Sequence, residues 1–560
     1  MRVPGSTTPT ARSTHGVPPR GLETTPASSQ DTGRFGRMFR RLPVFQCEEA
    51  SLVVLAAAMI QGFEMDGAQK FLDKPLGVED EDENTSRLSN GEFRLPSGYT
   101  YFGQFVDHDI TFDPVSSLHR QNDPDALVDF RTPRFDLDSV YGKGPSDDPF
   151  AYEDGLKLLE GNPLGPGDRK DLPRASNDRA IIGDPRNDEN KIVSQLQATF
   201  IRFHNRVVDW VRDNEPTFAD TPDNHFKRAQ QIVRWHYQWV VIQDFLRRIT
   251  GDDPYTPDQG MVADILRPEA YQTGDSEEEA IRPHLLFYRW RKQPYIPVEF
   301  SVAAYRFGHT MARPSYHINQ FLLEHRPEPD DVPGLVGVKA QRIPFFTQSD
   351  GPRDSMNGFA SIPQQWGVDW SFLLPLGDAA NLPQPSYKLD TSLVNPLGAL
   401  PDRVAKAEIL VHGFPPQIAQ SLACRNLLRG LRLGLPGGEH VARAMGVAPD
   451  ARIRIDADTL KTATDSFGIT QQQVDDTVAD LTGKTPLWYY ILKEGELREG
   501  AHLGPVGARI VAEVLIGLLS GDPLSYLSVQ PGWTPFLPRR NGSSEGAYTL
   551  ADLVAFGAGA

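Results

Sequence analysis

The sequence predicts a mainly α fold with little β-structure. Long segments that begin near residues 188, 224 and 298 carry apolar side chains every three or four positions, which is the spacing of a helix with one buried face. No run of alternating strands, no repeat period and no glycine-rich phosphate loop is visible. The 560 residues, 39% of them hydrophobic, can bury a large core, and length alone would suggest about three or four domains.

Net charge and cysteine content argue against several classes of function. The formal charge of −17 opposes a nucleic-acid or anionic-membrane partner, because phosphate binding needs a basic surface. A small or neutral substrate is more natural. Two cysteines, Cys47 and Cys424, are too few for a disulfide framework or a thiolate metal cage. The apolar run from Ser51 to Ile60 is too short to span a bilayer, so it predicts a buried helix and no transmembrane segment.

Several stretches are predicted to lie outside the helical core. Residues 1–34 are rich in Ser, Thr, Pro and Gly and lack the apolar centre of a secretory signal, so we expect a disordered tail and a cytoplasmic or non-classically exported protein. Residues 34–42 predict a solvated basic helix face rather than a membrane anchor. Residues 74–98 and 254–297 are expected to be loops, and residues 536–560 a C-terminal tail.

The segment from Gly103 to Ile110 concentrates chemically active side chains within an apolar frame. In a helix, Gln104 and His108 share one face at i,i+4 spacing, Asp107 points about a quarter turn away, and Asp109 points away from both. One short segment can therefore serve several partners at once.

A second polar segment follows at residues 131–142, where Thr132, Asp136 and Asp138 occupy alternate positions. Several hard oxygens presented to one centre suit Ca²⁺, and Asp109 would strengthen the set. A solvated acidic loop is the alternative.

Five further helices are predicted, and some of them carry chemically active side chains. Pro185 is placed for a first helical turn, from which Arg186 and Glu189 project at i,i+3; a local ion pair is the simpler interpretation of that pair alone. A second helix is predicted from about Asn224 to Arg248. A third, at residues 298–313, carries Gly308 beside His309, and a glycine inside a helix costs about 1 kcal/mol relative to alanine. A flat ligand lying close to the backbone would explain that cost. Further helices are predicted at residues 418–433 and 506–519.

Four separated blocks together resemble the animal-type haem peroxidases of the peroxidase-cyclooxygenase superfamily. The blocks are Gly103-Gln104-x-x-Asp107-His108-Asp109, Gly183-Asp184-x-Arg186-x-x-Glu189, Tyr305-Arg306-Phe307-Gly308-His309-Thr310, and Asn426-x-x-Arg429 followed by Gly434-Leu435-Pro436-Gly437. Their order along the chain is that of the family. The resemblance implies a single large helical haem peroxidase domain at residues 35–535, in place of the several domains that length suggests.

The resemblance also implies a role for each block. His108 corresponds to the distal histidine on the peroxide side of the haem, and His309 to the proximal iron ligand, with Asn426 accepting its other N–H. Arg186 corresponds to the distal arginine and Gln104 to the distal glutamine. Arg306 is expected to contact the cofactor. By contrast, His204 has no motif around it and is expected to be an ordinary satisfied histidine.

The implied activity is the oxidation of small electron donors, such as phenolics, halides or thiocyanate, by H₂O₂ through an oxoferryl intermediate. Asp107 and Glu189 match the carboxylates that form ester links to haem b in the vertebrate enzymes. Asn190 stands where myeloperoxidase has the methionine of a further link, so that link is not expected. The calcium loop of the family is matched by the side chains of Asp109, Thr132, Asp136 and Asp138 and the carbonyl of Arg134. The scarcity of cysteine suggests a bacterial-type member.

Two other functions stay open. Fatty-acid dioxygenases of the same superfamily oxidise a tyrosine three residues before the proximal histidine, but that position is Arg306 here. A peroxidase therefore ranks above a lipid dioxygenase. The fold could also persist as a haem-free structural or adhesion module, although the presence of His108, Arg186 and His309 argues against it.

Overall fold

Helices make up most of the regular structure in the computed structural model, which confirms the predicted mainly α fold. The described residues are 33–60, 95–112, 128–165, 167–267, 269–273, 276–280, 283–290, 293–324, 343–346, 355–376, 383–398, 400, 418, 421–540 and 547–559. The α-helices are Glu49–Ala58, Gly98–Ile110, Asp138–Tyr141, Lys191–Asn214, Pro222–Trp239, Arg247–Thr250, Gly260–Leu266, Gln320–Glu324, Asn395–Gly398, Leu422–Arg432, Gly438–Ala444, Lys461–Phe467, Gln471–Leu481, Leu487–Glu496, Pro505–Gly521, Tyr526–Val529 and Leu550–Ala558. The 3₁₀-helices are Pro149–Ala151, Pro185–Asp188, Pro216–Phe218, Ala304–His309, Gln364–Trp366 and Trp370–Phe372.

The strands in the described ranges are two to five residues long and form one three-stranded sheet and three two-stranded pairs. They are β1 Gly33–Gly36, β2 Val128–Asp129, β3 Pro163–Leu164, β4 Arg169–Lys170, β5 Glu269–Thr273, β6 Ser276–Ala280, β7 Ile296–Pro297, β8 Ser315–Tyr316 and β9 Ile343–Pro344. Strand β1 pairs antiparallel with β2 and parallel with β7, in the order β2-β1-β7. The other strands form antiparallel pairs, β3 with β4, β5 with β6, and β8 with β9.

The helix Gly98–Ile110 lies in the core and is held there by aromatic packing. Phe105 stacks on Phe200 of the helix Lys191–Asn214, with ring centroids 4.6 Å apart. Both rings also meet the edge of Tyr237, which projects from the helix Pro222–Trp239. These three buried rings fix one face of the short helix, so that its polar side chains are presented from a rigid support.

Two of the predicted α-helices contain other helical forms. The second helix is α-helical over Pro222–Trp239 and π-helical over Val240–Leu246. The segment predicted at residues 298–313 is π-helical over Glu299–Ala303 and 3₁₀-helical over Ala304–His309, where it ends. Departures of this kind are frequent at functional sites. They arise from tertiary packing, which a spacing of apolar residues does not encode.

The prediction of a solvated helix face at residues 34–42 is wrong. Gly33–Gly36 forms strand β1, which overlaps the end of the predicted tail. Phe35, Met38 and Phe39 are buried. The buried carboxylate of Glu299 accepts hydrogen bonds from the backbone N–H groups of Met38 and Phe39, each over 3.0 Å. Although this segment carries several arginines, most of its apolar side chains are buried and its backbone is hydrogen-bonded to the core.

The prediction of a tail at residues 536–560 also needs correction. Leu550–Ala558 is a buried helix that packs against Lys191–Asn214. Gly557 permits the close approach, because a Cβ there would lie 2.9 Å from the carbonyl oxygen of Thr199. The predicted loop at residues 254–297 likewise contains the helix Gly260–Leu266 and the β5–β6 pair. Residues 1–32 and 74–94 lie outside the described residues.

The apolar run near residue 51 forms the buried helix Glu49–Ala58, as predicted. Within the described part of the chain, no helix combines the length and the hydropathy needed to cross a bilayer.

Candidate active site

His108 is buried on the helix Gly98–Ile110 and contacts a residue that the sequence analysis did not single out. Its Nδ1 lies 2.8 Å from Oδ1 of Asn187, in the 3₁₀-helix Pro185–Asp188. Asn187 is fully buried. It directly follows Arg186 within the second sequence block, and this position is the sequence feature that could have pointed to a role at the site.

A chain of amides fixes which nitrogen of His108 carries the proton. The carbonyl of Ser139 can only accept, so the hydrogen bond over 3.3 Å comes from Nε2 of Gln197. Gln197 Oε1 then accepts from Nδ2 of Asn187 over 2.8 Å. This leaves Oδ1 of Asn187 to accept from Nδ1–H of His108. The Nε2 of His108, which has no hydrogen-bond partner among the described residues, therefore keeps its lone pair.

His108 is held in its neutral form. Burial and, after it, the nearby positive charge of Arg186 lower the pKa of its imidazole to about 3. A neutral imidazole with a free Nε2 lone pair can accept a proton or bind a metal.

Arg186 lies beside His108 and is oriented by oxygen acceptors. Its Nη2 donates to the carbonyl oxygens of His108, over 3.0 Å, and Thr111, over 2.6 Å. Asp184 accepts from its backbone N–H over 2.8 Å and from Nη2 over 2.8 Å. The guanidinium carbon lies 4.6 Å from the centre of the Phe112 ring. Nη1 makes no hydrogen bond within the described ranges, so one end of the cation is available.

Gln104, Asp107 and Glu189 form a carboxylate-and-amide group next to His108. Gln104 Nε2 donates to Glu189 Oε1, and Gln104 Oε1 accepts from Nδ2 of Asn190 over 3.1 Å. Thr111 Oγ1 donates to Asp107 Oδ1 over 3.0 Å. Burial raises the pKa of Glu189 to about 7 and also raises that of Asp107. Both carboxyl groups are thus unusually easy to protonate.

His309 ends the 3₁₀-helix Ala304–His309 and shares an amide with Arg306. Side chains at i and i+3 eclipse in a 3₁₀-helix, which places both residues on one side. Asn426 Nδ2 lies 3.0 Å from His309 Nδ1, and Asn426 Oδ1 accepts from Arg306 Nη1 over 3.0 Å. The structure brings His309 and Asn426 together, but with the amide nitrogen of Asn426 toward His309, because Arg306 donates to the amide oxygen.

Asp107 is affected electrostatically both by the residues around His309 and by those around His108. Its pKa is raised by burial and is lowered by the positive charges of both Arg186 and Arg306. Both arginines therefore act electrostatically on the same buried carboxyl group. His309, like His108, is neutral: burial and then Arg306 lower its pKa to about 3.

The surroundings of His309 suit a flat cofactor. A Cβ built on Gly308 would meet no atom within 4 Å, so the chain is open beside the imidazole. His309 Nε2 makes no hydrogen bond to the described residues. Neutral imidazole is the form that ligates iron, and its Nδ1 neighbour sets its basicity. The residues present therefore fit a haem.

Asp109, Asp136 and Asp138 form a buried carboxylate cluster. Each offers an oxygen atom that lies within 4.8 Å of the others. Leu137, between two of them, has the left-handed φ of 57°, which turns the chain so that both flanking carboxylates reach the cluster. The sequence prediction that Asp109 joins the segment at residues 131–142 is thus matched by the geometry.

The cluster fits a hard cation. Burial raises the pKa of Asp109 well above its usual range, and the charges of Asp136 and Asp138 raise it further. Thr132 Oγ1 donates to Asp136 Oδ2 over 2.6 Å, so it lies at the edge of the same set. A divalent cation would offset the mutual repulsion of these carboxylates. Arg134, whose carbonyl was the fifth expected ligand, lies in the same loop.

The remaining candidates behave as simple structural groups. His204 Nε2 lies 2.9 Å from the carbonyl of Leu156, and its Nδ1 lies 3.1 Å from the hydroxyl of Tyr141. Both ring nitrogens are thus satisfied, as expected for an ordinary buried histidine. Cys47 and Cys424 are free thiols.

Comparison with protein families gives one match to this region. The model for the animal haem peroxidase family matches residues 124–371. That range contains the loop at residues 131–142 and the blocks around Arg186 and His309.

Individual relatives are distant. Peroxidasin of Drosophila melanogaster is 24% identical over 362 residues, which is 64% of this chain and 19% of that protein. Human thyroid peroxidase is 23% identical over 348 residues, which is 61% of this chain and 30% of that protein. The chain thus spans less than a third of the length of either relative. Among solved structures, a fatty acid alpha-dioxygenase of Oryza sativa is similar in fold, with a TM-score of 0.51 and 15% identity over 88% of this chain and 77% of that one.

Proposed function

We propose that this chain, whose residues 124–371 match the animal haem peroxidase family, is a haem peroxidase that uses H₂O₂ to oxidise small electron donors. The observation that carries the proposal is the pair of neutral imidazoles, His108 and His309. Each uses Nδ1 in a contact with an asparagine and has no hydrogen-bond partner for Nε2 among the described residues. One can act as a base while the other binds metal.

His309 would hold the haem iron through Nε2. Ligation requires the proton on Nδ1, so the Asn426 amide would turn by half a revolution to present its oxygen. Arg306 Nη1 would then need another acceptor, and a carboxylate of the cofactor is the natural one. Asp107 and Glu189, whose pKa values are raised by burial, would form the ester links to haem b.

When bound, haem supplies the redox chemistry by which peroxide is reduced to water and a donor is oxidised. His108 Nε2 takes the proton from the attacking oxygen of H₂O₂ and returns it to the departing oxygen, so it acts first as base and then as acid. Asn187 keeps the Nδ1 proton in place throughout. Arg186 stabilises the negative charge that develops on the departing oxygen. Gln104 would order water or a halide beside them.

The cation cluster would support this step. Asp109 directly follows His108, so a Ca²⁺ held by Asp109, Asp136 and Asp138, with Thr132 and the Arg134 carbonyl, would anchor the helix end that carries the base.

Turnover of several donors side by side tests the proposal. Haem-loaded protein should consume H₂O₂ while oxidising at least one of a phenol, bromide, chloride or thiocyanate. His108→Ala should abolish most of that turnover, since a general base contributes about 10²–10⁴-fold. Haem-loaded protein that oxidises none of them at any peroxide concentration would contradict the proposal.

A lipid dioxygenase is the alternative function for this fold, and the presence of Arg306 argues against it. In this structure Arg306 fills the position three residues before His309 and bonds to Asn426. Tyr305 is buried and lies on another side of the 3₁₀-helix. Rapid O₂ uptake with linoleate and trace peroxide, without an added electron donor, would favour the dioxygenase. Absence of a Soret band after expression with ample haem would instead favour a structural module.

A further inference from the structure

A buried arginine, Arg131, joins the cation cluster to the pair formed by Asp184 and Arg186. Its side chain is 1% exposed. Nη1 donates to Asp138 Oδ1, and Nη2 donates to Asp184 Oδ2. Nη2 also lies 3.3 Å from the carbonyl oxygen of Gly183. The two ends of one guanidinium are thus used for two different carboxylates.

Asp184 is shared by two arginines. Its Oδ2 accepts from Arg131 and, over 2.8 Å, from Nη2 of Arg186. Its Oδ1 accepts from the backbone N–H of Arg186 over 2.8 Å and from Nε over 3.2 Å. Burial alone would raise the pKa of Asp184, but the two arginines outweigh it and hold the pKa below its usual range. Asp184 is therefore an ionised bridge between them.

These contacts make a continuous path from the cation cluster to the peroxide side of the site. Asp138 belongs to the cluster with Asp109 and Asp136. From Asp138 the path runs through Arg131 and Asp184 to Arg186, whose Nη2 reaches the carbonyl of His108. The path is separate from the direct peptide link between Asp109 and His108.

We propose that Arg131 is a positioning residue that transmits the state of the cation cluster to Arg186. A bound cation fixes the carboxylate of Asp138, Asp138 holds Arg131, and Arg131 fixes Asp184 in the orientation that aims Arg186. This inference rests on the haem peroxidase function proposed above. Lysine is a point charge with no planar fork, so it can replace the charge of Arg131 but not the bridge.

The central experiment compares Arg131→Lys in two backgrounds. In otherwise wild-type haem-loaded protein, Arg131→Lys should weaken equilibrium cyanide binding to the ferric protein, followed by the Soret shift, by about tenfold, and slow the reaction with H₂O₂ by a similar factor. In the Arg186→Gln background it should have no further effect on either quantity. Ca²⁺ affinity, measured by calorimetry, should change by less than about threefold, because the cluster keeps its three carboxylates.

Arg228→Lys is the matched control. Arg228 also makes two bonds to a carboxylate, with Nε 2.5 Å and Nη2 2.8 Å from the oxygens of Glu215, but it lies outside this network. It should leave cyanide affinity unchanged. If Arg131→Lys does not fold, Arg131→Gln, which removes the charge but can still donate to one carboxylate, replaces it in the same pair of backgrounds.

The outcomes separate this inference from the proposed function. Equal losses of cyanide affinity from Arg131→Lys in both backgrounds, or no loss in the wild-type background, would overturn the positioning role of Arg131. Neither result would affect the proposed function. A loss of Ca²⁺ affinity that accounts for the cyanide effect would also overturn it, because Arg131 would then act on the cluster. Protein that binds no haem at all would instead refute the proposed function.

Discussion

His108 donates from Nδ1 to Oδ1 of Asn187 over 2.8 Å, and the hydrogen-bond polarity of this contact is set by the backbone carbonyl of Ser139 through Gln197. The consequence is a neutral imidazole with one defined tautomer. A base that must take a proton at Nε2 needs that tautomer, because the other one has no lone pair to offer there.

Asn187→Ala should therefore slow the reaction with H₂O₂ about tenfold to a hundredfold, which is part of the 10²–10⁴ expected of a general base. Asn187→Asp keeps an acceptor for Nδ1–H and should recover most of the rate. Stopped-flow absorbance of the haem measures both. Asn214→Ala removes an exposed amide that donates to the carbonyl of Trp210 and serves as control. Equal rates for Asn187→Ala and wild type would show that Asn187 does not set the tautomer.

His309→Ala should abolish haem binding. Its imidazole is neutral, and Gly308 leaves open space beside it. The Soret absorbance per chain should fall to background while the circular dichroism of the helices is retained. His440→Ala, at an exposed position, should keep full loading. Full loading and turnover in His309→Ala would exclude this residue as the axial ligand.

Asp107 and Glu189 should form ester links during peroxide turnover, since they match the linking carboxylates of the vertebrate enzymes and burial raises the pKa of both. Haem in wild-type protein should then resist acid–organic extraction after exposure to H₂O₂. The double variant Asp107→Asn and Glu189→Gln should release all of it, whereas Asp213→Asn, at an exposed carboxylate, should not. Free release of haem from wild-type protein after turnover would show that neither link forms.

The sequence predicted the helices whose stability comes from one continuous apolar face. Lys191–Asn214 is an example. The family resemblance implied that Asp109 and Asp136 share one ligand set, and the fold brings their carboxylates together. The buried helix Leu550–Ala558 was missed, although Thr549 and Asp552 form a capping box at its start.

Other features depend on contacts between distant segments and could not be read from spacing. Asn187 can orient the His108 imidazole because Gln197, in the following helix, orients the Asn187 amide. The reversed contact between Asn426 and His309 depends on Arg306, whose position follows from the 3₁₀-helix. No sequence feature distinguished Arg131 from the other arginines. Its importance follows from its position between Asp138 and Asp184 in the folded chain.

Glu494 should make stability depend on pH near neutrality. Its side chain accepts from the backbone N–H of Val506, at the start of the helix Pro505–Gly521, and burial raises its pKa to about 7. A folded-state pKa above the ordinary 4.5 means that its stabilising contribution is complete below about pH 4.5 and is lost as the pH rises to about 7. At about 1.4 kcal/mol per pKa unit, the loss is on the order of 3 kcal/mol.

The thermal midpoint of wild-type protein should accordingly fall between pH 5 and pH 7.5 by more than that of Glu494→Gln, whose side chain can accept the same hydrogen bond without ionising. Glu499→Gln, at an exposed position, should follow the wild-type curve. Parallel curves for wild type and Glu494→Gln would contradict the raised pKa.

Calcium removal should destabilise the protein through the cluster of Asp109, Asp136 and Asp138. Three carboxylates within 4.8 Å of one another in a buried site repel unless a cation or protons offset their charge. A ligand that binds only the folded state stabilises it by about 2.7 kcal/mol at a hundred times its Kd. The thermal midpoint should therefore fall in EGTA, recover with added Ca²⁺, and not recover with Ca²⁺ in Asp136→Asn. Asp456→Asn, which alters a carboxylate paired with Arg454 outside the cluster, should respond like wild type. A midpoint that is the same in EGTA and in millimolar Ca²⁺, with no calcium found in the purified protein, would leave these three residues as a protonated cluster rather than a metal site.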